Sequence, residues 1–429
     1  MPGPDLPYLI NDADNHFNEP LDLYERYIDP KHKDLAIRQV TDDDGRSLQL
    51  FAGRPSRFSS EQITVPQDQL DKLLDGGGQS DAAGGGAKSS TPGMLLNRLN
   101  PLKGLTVAER DQMIAEFRTQ RESYGNRDLR LALMDDQGIH AALMFPASAH
   151  DIEYELADDV DAIYANARAF NRWIHEEIGY AHANRMFLPP YISLADVQAA
   201  VGELDTVLGQ GAPVIQLRAG HAHGGRSNPF GGRSLADPMF DPLWSRINDA
   251  GARVAIHLGA TDYQKHGAEW SEDPQDTFGR FDAFQWVFYW GDRPAMETVG
   301  GMILHGLFSR FPNVRVCLSE QGTVWVPYLV RKMDHAFLMG RKARWGTLDK
   351  RPSDIFREHF IVAPYPEENV GRVVSVVGPQ PIVFGSDFPH GEGLAFPREY
   401  VAAQLGDLDD RTVKAIMHDN LADFLGLPA

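Results

Sequence analysis

Cysteine is almost absent from this chain, which has Cys317 as its single thiol among 429 residues. One thiol cannot form an intramolecular disulfide, so the sequence excludes a disulfide-stabilised secreted domain. Cys317 lies inside an apolar run and is predicted to be a buried thiol. A charged-then-apolar leader is also missing, as is any apolar run near the roughly 20 residues that span a bilayer. These absences predict a soluble, cytoplasmic protein.

Basic residues are scarce as well, with 41 Lys and Arg against 60 Asp and Glu and a formal net charge of −19. Nucleic acids and anionic membranes attract basic patches, so this balance argues against both partners and favours a small-molecule substrate. Hydrophobic residues make up 42% of the chain, which suffices for one large core or two moderate ones. The composition is that of a globular protein of enzyme size.

Short apolar runs alternate with amphipathic helical patterns from about residue 128 onward, which indicates βα units around a parallel sheet. The predicted strands are Tyr8 to Asp14, Ala141 to Pro146, Met186 to Ile192, Val214 to Arg218, Val254 to Leu258, Val314 to Leu318, Phe360 to Ala363 and Ile382 to Phe384. The predicted helices include Asp159 to Ile178, Leu194 to Leu208, Pro242 to Ala250, Pro294 to Arg310 and Trp325 to Met339. Eight βα repeats predict an α/β fold, a (β/α)8 TIM barrel.

Two long segments interrupt this rhythm. Residues 1–20 hold the first strand and residues 128–429 the remainder of the predicted barrel, so residues 21–127 form a large insertion after strand one. Within it, the Gly/Ser/Ala-rich stretch 73–93 has little to bury and is predicted to be flexible rather than a phosphate-binding loop. The second segment, 259–292, is rich in aromatic residues. A substrate lid and an oligomer contact explain it equally well.

Candidate metal ligands lie at the ends of three predicted strands. Asp14 and His16 alternate at the end of the first strand and share one face, His257 ends the fifth, and Asp387 follows the eighth. Carboxylates and imidazoles together bind divalent ions, and barrel active sites lie at the carboxyl ends of the strands. Taken singly, the two carboxylates read as capping residues and His257 as a core histidine. Their convergence on one rim favours a metal site.

Four stretches of the sequence resemble a known family. They are DADNHFNEP (12–20), GGRSLADPMFDPLWSRINDAGARVAIHLG (231–259), LFSRFPNVRVCLSEQGTVWVPYLVRKMD (307–334) and VFGSDFPHGEG (383–393). Together they are similar to amidohydrolase family 2, the aminocarboxymuconate-semialdehyde decarboxylase-like branch of the metal-dependent amidohydrolase superfamily. The resemblance covers the first twenty residues and most of the chain from about residue 128, but not the insertion.

The resemblance implies a (β/α)8 barrel with one divalent metal, whose ligands are Asp14, His16, His257 and Asp387. Decarboxylases of this family usually carry a catalytic histidine after strand six in a Gly-His-x-Gly pattern, whereas this chain reads Ser-Glu-Gln-Gly at 319–322. Glu320 therefore stands where that histidine is expected. A buried carboxylate there can act as a general acid or base or join the metal ligands. An ion pair with Arg331 or another cation is its structural alternative.

Further residues are candidate substrate contacts: Arg218, His390, Glu19 and His305. Arg218 can clamp a substrate carboxylate through its guanidinium or form a structural ion pair. Glu19 can contact the metal or cap the segment that follows it, and His390 lies at the rim after strand eight. His305 is more often a packed core residue in such a helix, although it can reach the pocket. His221 and His223 have the spacing of a metal pair, but the two glycines that follow predict a mobile loop.

Hydrolysis is the activity that the sequence favours. The metal, with zinc as first choice and manganese or iron as alternatives, is expected to polarise a carbonyl and activate a water. Asp387 would shuttle the proton and Glu320 would assist the leaving group of a small cyclic or aromatic amide, ester or lactone. The alternative is non-oxidative decarboxylation of an aromatic or unsaturated acid. Glu320 at the histidine position tips the choice towards hydrolysis.

A barrel that has lost catalysis and serves in binding or assembly is a further interpretation. The four retained ligand residues argue against it. A homodimer is the expected assembly, from the aromatic segment 259–292 and from the family resemblance.

Overall fold

The computed structural model describes residues 3–41, 47–56, 91–146, 148–157, 159–223, 232–261, 291–428 and the single positions 263, 270 and 287. Its strands are β1 (Ile10–His16), β2 (Arg38–Thr41), β3 (Ser47–Phe51), β4 (Arg54–Pro55), β5 (Ile139–Phe145), β6 (Ala181–His182), β7 (Met186–Phe187), β8 (Val214–Arg218), β9 (Ala222–His223), β10 (Gly232–Arg233), β11 (Arg253–His257), β12 (Val316–Ser319) and β13 (Phe360–Val362).

The α-helices of the described residues span Leu23–Tyr27, Val107–Gln120, Arg127–Gln137, Ile152–Glu155, Val160–Trp173, Val197–Gly209, Asp241–Ala250, Asp292–Leu304, Leu307–Arg310, Val326–Leu338, Pro352–His359, Val370–Val377, Glu399–Gln404, Asp410–Lys414 and Asn420–Leu425. Short 3-10 turns cover Pro30–Leu35, Arg121–Tyr124, Ala149–Asp151 and Pro238–Phe240, and π-helical turns cover Ile174–Ile178 and Ala415–Asp419.

Parallel pairing joins the long buried strands. β1 pairs with β5 and β5 with β7, while β8, β11, β12 and β13 form a second parallel set. Isolated parallel bridges connect the edges of these sets: Tyr191 with Gln216, Val362 with Ile382, and Asn15 with Phe388. The pairings thus lead from β1 through both sets and the 382–388 segment back to β1. Parallel strands with helices between them confirm the α/β class.

Side chains are buried on both faces of these strands, which is typical of a parallel sheet covered by helices. Ala255 and Cys317 belong to an inner hydrophobic cluster, whereas their neighbours Ile256 and Leu318 belong to the larger cluster that includes the helices. The prediction of a buried thiol at Cys317 is therefore confirmed. Because side chains alternate along a strand, His257, two residues beyond Ala255, faces the interior as well.

Two predicted strands and one predicted helix differ from the structure. β7 ends at Phe187 because the prolines at 189 and 190 have no N–H to donate to a ladder. The eighth predicted strand shows only the bridges at Ile382 and Phe388. The helix predicted from Pro294 to Arg310 is interrupted after Leu304, because Gly306 adopts a left-handed φ of 78°.

The described part of the insertion contains a small antiparallel sheet in the order β2, β3, β4. It also contains the helix Val107–Gln120, which begins with a reciprocal capping box between Thr106 and Glu109. Most of the glycine-rich stretch 73–93 and of the aromatic segment 259–292 lies outside the described residues, so the predictions for both remain predictions. Across the described ranges, the helices are too short or too polar to cross a membrane.

Candidate metal site

A cluster of histidines and carboxylates occupies the carboxyl ends of the parallel strands. Its members are Asp14 and His16 of β1, His257 of β11, Glu320 after β12, and Asp387 and His390 after the Ile382 bridge. Two overlapping groups each bring their potential ligand atoms within 4.8 Å of one another: Asp14, His16, His257 and Glu320, and His16, Glu320, Asp387 and His390. The strand-end residues predicted from the sequence are thus brought together.

The two strand-end imidazoles lie between the carboxylates. His16 Nε2 is 2.9 Å from Asp387 Oδ1 and 3.8 Å from Asp14 Oδ1. His257 Nε2 is 3.4 Å from Asp14 Oδ1 and 3.1 Å from Glu320 Oε2. On the other side of its ring, His257 Nδ1 lies 2.6 Å from the carbonyl oxygen of Leu258. If that nitrogen carries the proton, the Nε2 lone pair points at the carboxylates and is available to a metal.

Several buried atoms of this cluster make no well-aligned hydrogen bond among the described residues. They are Asp14 Oδ1, His16 Nδ1, His16 Nε2 and His257 Nε2, all of them buried. Buried polar atoms are normally satisfied, and carboxylates held this close repel each other unless a cation lies between them. A divalent cation would meet both requirements. The mixed nitrogen and oxygen donor set therefore fits such an ion.

The pKa values of the cluster residues reflect the same burial and the same repulsion between close carboxylates. Burial raises the pKa of Asp14 and of Glu320, and the neighbouring carboxylates, Asp387 foremost, raise both further. Burial also raises the pKa of Asp387 to about 6, although the nearby His390 opposes the change. Burial lowers the pKa of His16 and of His257, so both imidazoles are neutral at pH 7. Neutral imidazoles bind metals, and a bound cation favours ionised carboxylates.

Two site residues have an unusual backbone conformation. Glu320 has a φ of 51° and Asp387 a φ of 54°, in the left-handed region that side chains other than glycine rarely adopt. Neighbouring groups hold both residues there, because the Asp387 amide donates to Asp14 O at 2.7 Å and the Tyr365 hydroxyl donates to Glu320 O at 3.2 Å. Such strain clusters at functional sites, where it aims side chains.

Gly385 provides the space that Asp14 occupies. A Cβ atom at residue 385 would lie 2.7 Å from Asp14 Cβ and 3.0 Å from Ala363 Cβ. We expect Gly385→Ala to lower the free energy of unfolding by about 1–3 kcal/mol through overpacking and to weaken metal binding by displacing Asp14. Chemical denaturation and metal titration measure the two effects.

Gly202 offers the matched control for that substitution, because it lies in the helix Val197–Gly209 with nothing within 4 Å of its ideal Cβ. Gly202→Ala is expected to stabilise the protein by about 0.5–1 kcal/mol and to leave metal binding unchanged. Equal metal affinity in Gly385→Ala and wild type would contradict the crowding of Asp14.

His390 joins the cluster. The His390 ring centroid is 3.9 Å from that of His16, and His390 Nδ1 lies 2.8 Å from Asp387 Oδ1. Burial lowers the pKa of His390, but the Asp387 carboxylate outweighs it and brings that pKa to about 9. Glu19 instead accepts a hydrogen bond from the Ser148 hydroxyl, whose oxygen also lies 2.9 Å from the Tyr24 hydroxyl.

The remaining predicted contacts are engaged elsewhere. Arg218 Nε lies 3.4 Å from Glu153 Oε2 in a buried ion pair, which corresponds to the structural alternative for this residue. His305 follows the end of its helix and its Nδ1 lies 2.8 Å from the Ser234 hydroxyl, so the structure does not bring it to the cluster. His221 also lies outside the ligand groups found among the described residues.

His150 is a neighbour of the site that sequence reasoning missed. It lies in the turn after β5, with its ring centroid 5.4 Å from that of His257. The adjacent Asp151 accepts a hydrogen bond from the Ala260 amide at 2.9 Å, which ties this turn to the end of the β11 segment. Its position directly after a predicted strand was the available signal, since such turns line the rim of a barrel.

Parallel strands that carry histidines and carboxylates at their carboxyl ends are typical of metal-dependent enzymes. The family model described as Amidohydrolase matches residues 114–427. A crystal structure of an amidohydrolase from Mycobacterium avium subsp. paratuberculosis aligns with a TM-score of 0.77 at 30% sequence identity, covering 99% of this chain and 100% of that one. The chain belongs to the amidohydrolase family of enzymes, as the four motifs predicted.

Two further relatives are decarboxylases. The 2-amino-3-carboxymuconate-6-semialdehyde decarboxylase of Dictyostelium discoideum is 23% identical over 224 residues, or 52% of this chain. The match spans 55% of that protein, little more than half of its length. A 5-carboxyvanillate decarboxylase from Novosphingobium aromaticivorans, crystallised with manganese and 4-hydroxy-3-methoxy-5-nitrobenzoic acid, has a TM-score of 0.58 at 15% identity, covering 98% of this chain and 97% of that one.

Proposed function

We propose that this protein is a metal-dependent decarboxylase that releases carbon dioxide from an aromatic or unsaturated carboxylic acid. The observation that carries the proposal is the cluster of histidines and carboxylates at the strand ends, in which Asp14, His16 and His257 each have a buried atom that makes no hydrogen bond among the described residues. The decarboxylases named above support the choice of reaction. The sequence motifs alone favoured hydrolysis, so the comparisons reverse the order of the two candidates.

One divalent ion is proposed to bind Asp14, His16, His257 and Asp387. When bound, the ion acts as a Lewis acid towards the substrate carboxylate and an adjacent oxygen. Manganese is the first ion to test, because the 5-carboxyvanillate decarboxylase was crystallised with it. Zinc, the first choice from sequence, and iron suit the same mixed donor set.

Glu320 is proposed as the proton donor. Its side chain is 15% exposed, against 5% for Asp14 and for Asp387, so it is the cluster carboxyl group most open to a substrate. In the reaction, the bond between the substrate carbon and its carboxylate breaks and carbon dioxide leaves. The electron pair stays on the carbon, which takes one proton from Glu320, and solvent reprotonates Glu320. General acids in such roles typically contribute about 10²–10⁴-fold to the rate.

A (β/α)8 barrel with residues 21–127 as an insertion after its first strand is proposed to carry this site. Part of the insertion lies against the loop that carries His390, because the amides of Gly93 and Leu95 donate to the carbonyl oxygens of His390 and Gly391 at 3.2 and 2.8 Å. The insertion is therefore proposed to form part of the substrate pocket. A homodimer in the cytoplasm remains the prediction made from sequence.

Hydrolysis of a small cyclic or aromatic amide, ester or lactone is the second candidate. The observation that favours it is Glu320 itself, which replaces the histidine expected in a decarboxylase and lies 3.1 Å from His257 Nε2. The same metal ligands serve either reaction, so only product analysis separates them.

We expect the purified protein, reconstituted with Mn²⁺, to release carbon dioxide from at least one member of a panel of hydroxybenzoates and carboxyvanillates. Removal of the metal with a chelator should abolish the release, and added Mn²⁺ should restore it. Cleavage of esters, amides or lactones without carbon dioxide would establish hydrolysis instead. Inactivity of the metal-loaded protein on both panels would contradict both candidates.

A further inference from the structure

A chain of fully buried polar side chains runs behind the metal cluster. It consists of Arg130, on the helix Arg127–Gln137, Asn15 and Asp12 of β1, and Ser386, which precedes Asp387. None of the four is more than 1% exposed. Buried polar groups destabilise the folded state unless they form hydrogen bonds or ion pairs, so the contacts of these four residues indicate their role.

Each member bonds to the next. Arg130 Nη2 donates to Asn15 Oδ1 at 2.5 Å and to the carbonyl oxygen of His16 at 2.6 Å. Asn15 Nδ2 donates to Asp12 Oδ2 at 2.8 Å. The Ser386 hydroxyl donates to the same Asp12 oxygen at 2.6 Å, and the Ser386 amide donates to Asp12 Oδ1 at 2.9 Å. The Asn15 amide thus links a buried guanidinium to a buried carboxylate.

The two charged members, Arg130 and Asp12, make these four side chains depend on one another. A buried ion needs an opposite charge or strong hydrogen bonds, and removing one partner leaves the other uncompensated. Arg130 has the Asn15 and His16 oxygens and the Phe388 ring, whose centroid is 4.9 Å from its guanidinium carbon. Asp12 accepts a further bond from the Asp14 amide at 3.1 Å. Loss of the central Asn15 would disturb both ends.

Two members of this polar chain are next in sequence to proposed metal ligands. Asn15 lies between Asp14 and His16, and Ser386 is the residue before Asp387. The pairing of β1 with β5 shifts in register between Asp12 and Asn15, so regular strand geometry does not set the direction of Asp14. Backbone hydrogen bonds already join β1 to the segment that carries Asp387, among them the one from the Asp387 amide to Asp14 O. The polar chain adds side-chain bonds between the same two segments.

We propose that Asn15 is a positioning residue that, through Arg130, Asp12 and Ser386, holds the β1 ligands and Asp387 at metal-binding distance. The proposal rests on the metal site proposed above. Residues behind metal ligands typically contribute about 10–100-fold to metal affinity. Asn15 does not itself join the ligand groups found among the described residues, so its effect reaches the metal through its neighbours.

The test compares Asn15→Ala with Asn166→Ala. Asn166 is also fully buried, and it accepts from the Ile37 amide at 2.9 Å and donates to Leu35 O and Ala162 O at 2.9 Å, away from the cluster. The dissociation constant for Mn²⁺ is measured by chelator competition, and the melting temperature on the metal-free full chain. We expect both variants to melt earlier, but only Asn15→Ala to bind Mn²⁺ about 10–100-fold more weakly.

Equal Mn²⁺ affinity in Asn15→Ala and wild type would overturn the proposal, as would equal weakening in both variants. If wild type binds no Mn²⁺, Zn²⁺ or Fe²⁺, the proposed metal site is refuted, and the positioning role is refuted with it. Should Asn15→Ala not fold, Ser386→Ala removes only the hydroxyl that donates to Asp12. We expect Ser386→Ala to bind Mn²⁺ more weakly than wild type and still to unfold cooperatively. Wild-type Mn²⁺ affinity in Ser386→Ala would overturn the proposal.

Discussion

Asp387→Asn is expected to yield a folded protein that binds no divalent metal at micromolar concentration and releases no carbon dioxide. The substitution keeps the shape of the side chain but removes the charge of the oxygen that lies 2.9 Å from His16 Nε2. A neutral amide is a poor ligand for an ion shared with two neutral imidazoles, because the carboxylates supply the compensating charge. We expect metal affinity to fall by more than about 100-fold, which is the largest loss typical of residues that bond to a metal ligand without binding the metal.

Metal content by plasma mass spectrometry and circular dichroism on the same sample measure this result. Asp334→Asn is the control, because Asp334 accepts from the Ser353 amide at 2.9 Å and from its hydroxyl at 2.8 Å and is not among the cluster ligands. That variant should keep its metal. An Asp387→Asn protein with the metal content of wild type would refute Asp387 as a ligand.

Glu320→Gln is expected to lower kcat by about 10²–10⁴-fold while the metal content stays unchanged. The amide retains the size of the side chain but cannot supply the proton that the substrate carbon takes. Activity and metal content are measured separately, because Glu320 also belongs to both groups of potential metal ligands. If Glu320→Gln loses its metal, Glu320 is a ligand instead, and unchanged kcat would refute the proton-donor role.

Glu320→His tests whether this position tolerates the histidine expected in family decarboxylases. Histidine is among the residues enriched in the left-handed conformation, so the φ of 51° does not exclude it. We expect Glu320→His to retain more carbon dioxide release than Glu320→Gln, with a shifted pH profile, because an imidazolium can also donate a proton. Equal inactivity of the two variants would show that the carboxyl group itself is required.

The ends of the regular strands could be predicted because parallel strands bury continuous apolar runs and end where polar residues begin. That rule placed His257 at the carboxyl end of β11, where the structure has it. It failed at strand eight, where 382–388 makes backbone pairs only at isolated points and the apolar run is short. It also missed the break at Gly306, whose left-handed backbone divides an otherwise continuous amphipathic pattern.

The clustering of histidines and carboxylates at the strand ends could be predicted from the sequence, but the residues that hold them in place could not. Strand period and barrel topology indicate which side chains meet at a rim, but the aim of Glu320 depends on a left-handed φ that a pattern of residue types does not reveal. Arg130 reads from sequence as an ordinary charged helix residue, although it is fully buried. Arg218 shows a second limit of sequence reasoning, because the sequence around a strand-end arginine is the same whether its side chain binds a substrate or pairs with Glu153.

The bonding of β1 to the segment 382–388 has a consequence for synthesis. Asp12 and Ser386 lie 374 residues apart along the chain, yet they form one hydrogen-bonded unit. At translation rates of about 5–20 residues per second, roughly 20–75 s separate their emergence from the ribosome. Throughout that interval β1 carries Asp14 and His16 without Asp387, so the proposed metal site can be complete only after the last part of the chain has been synthesised.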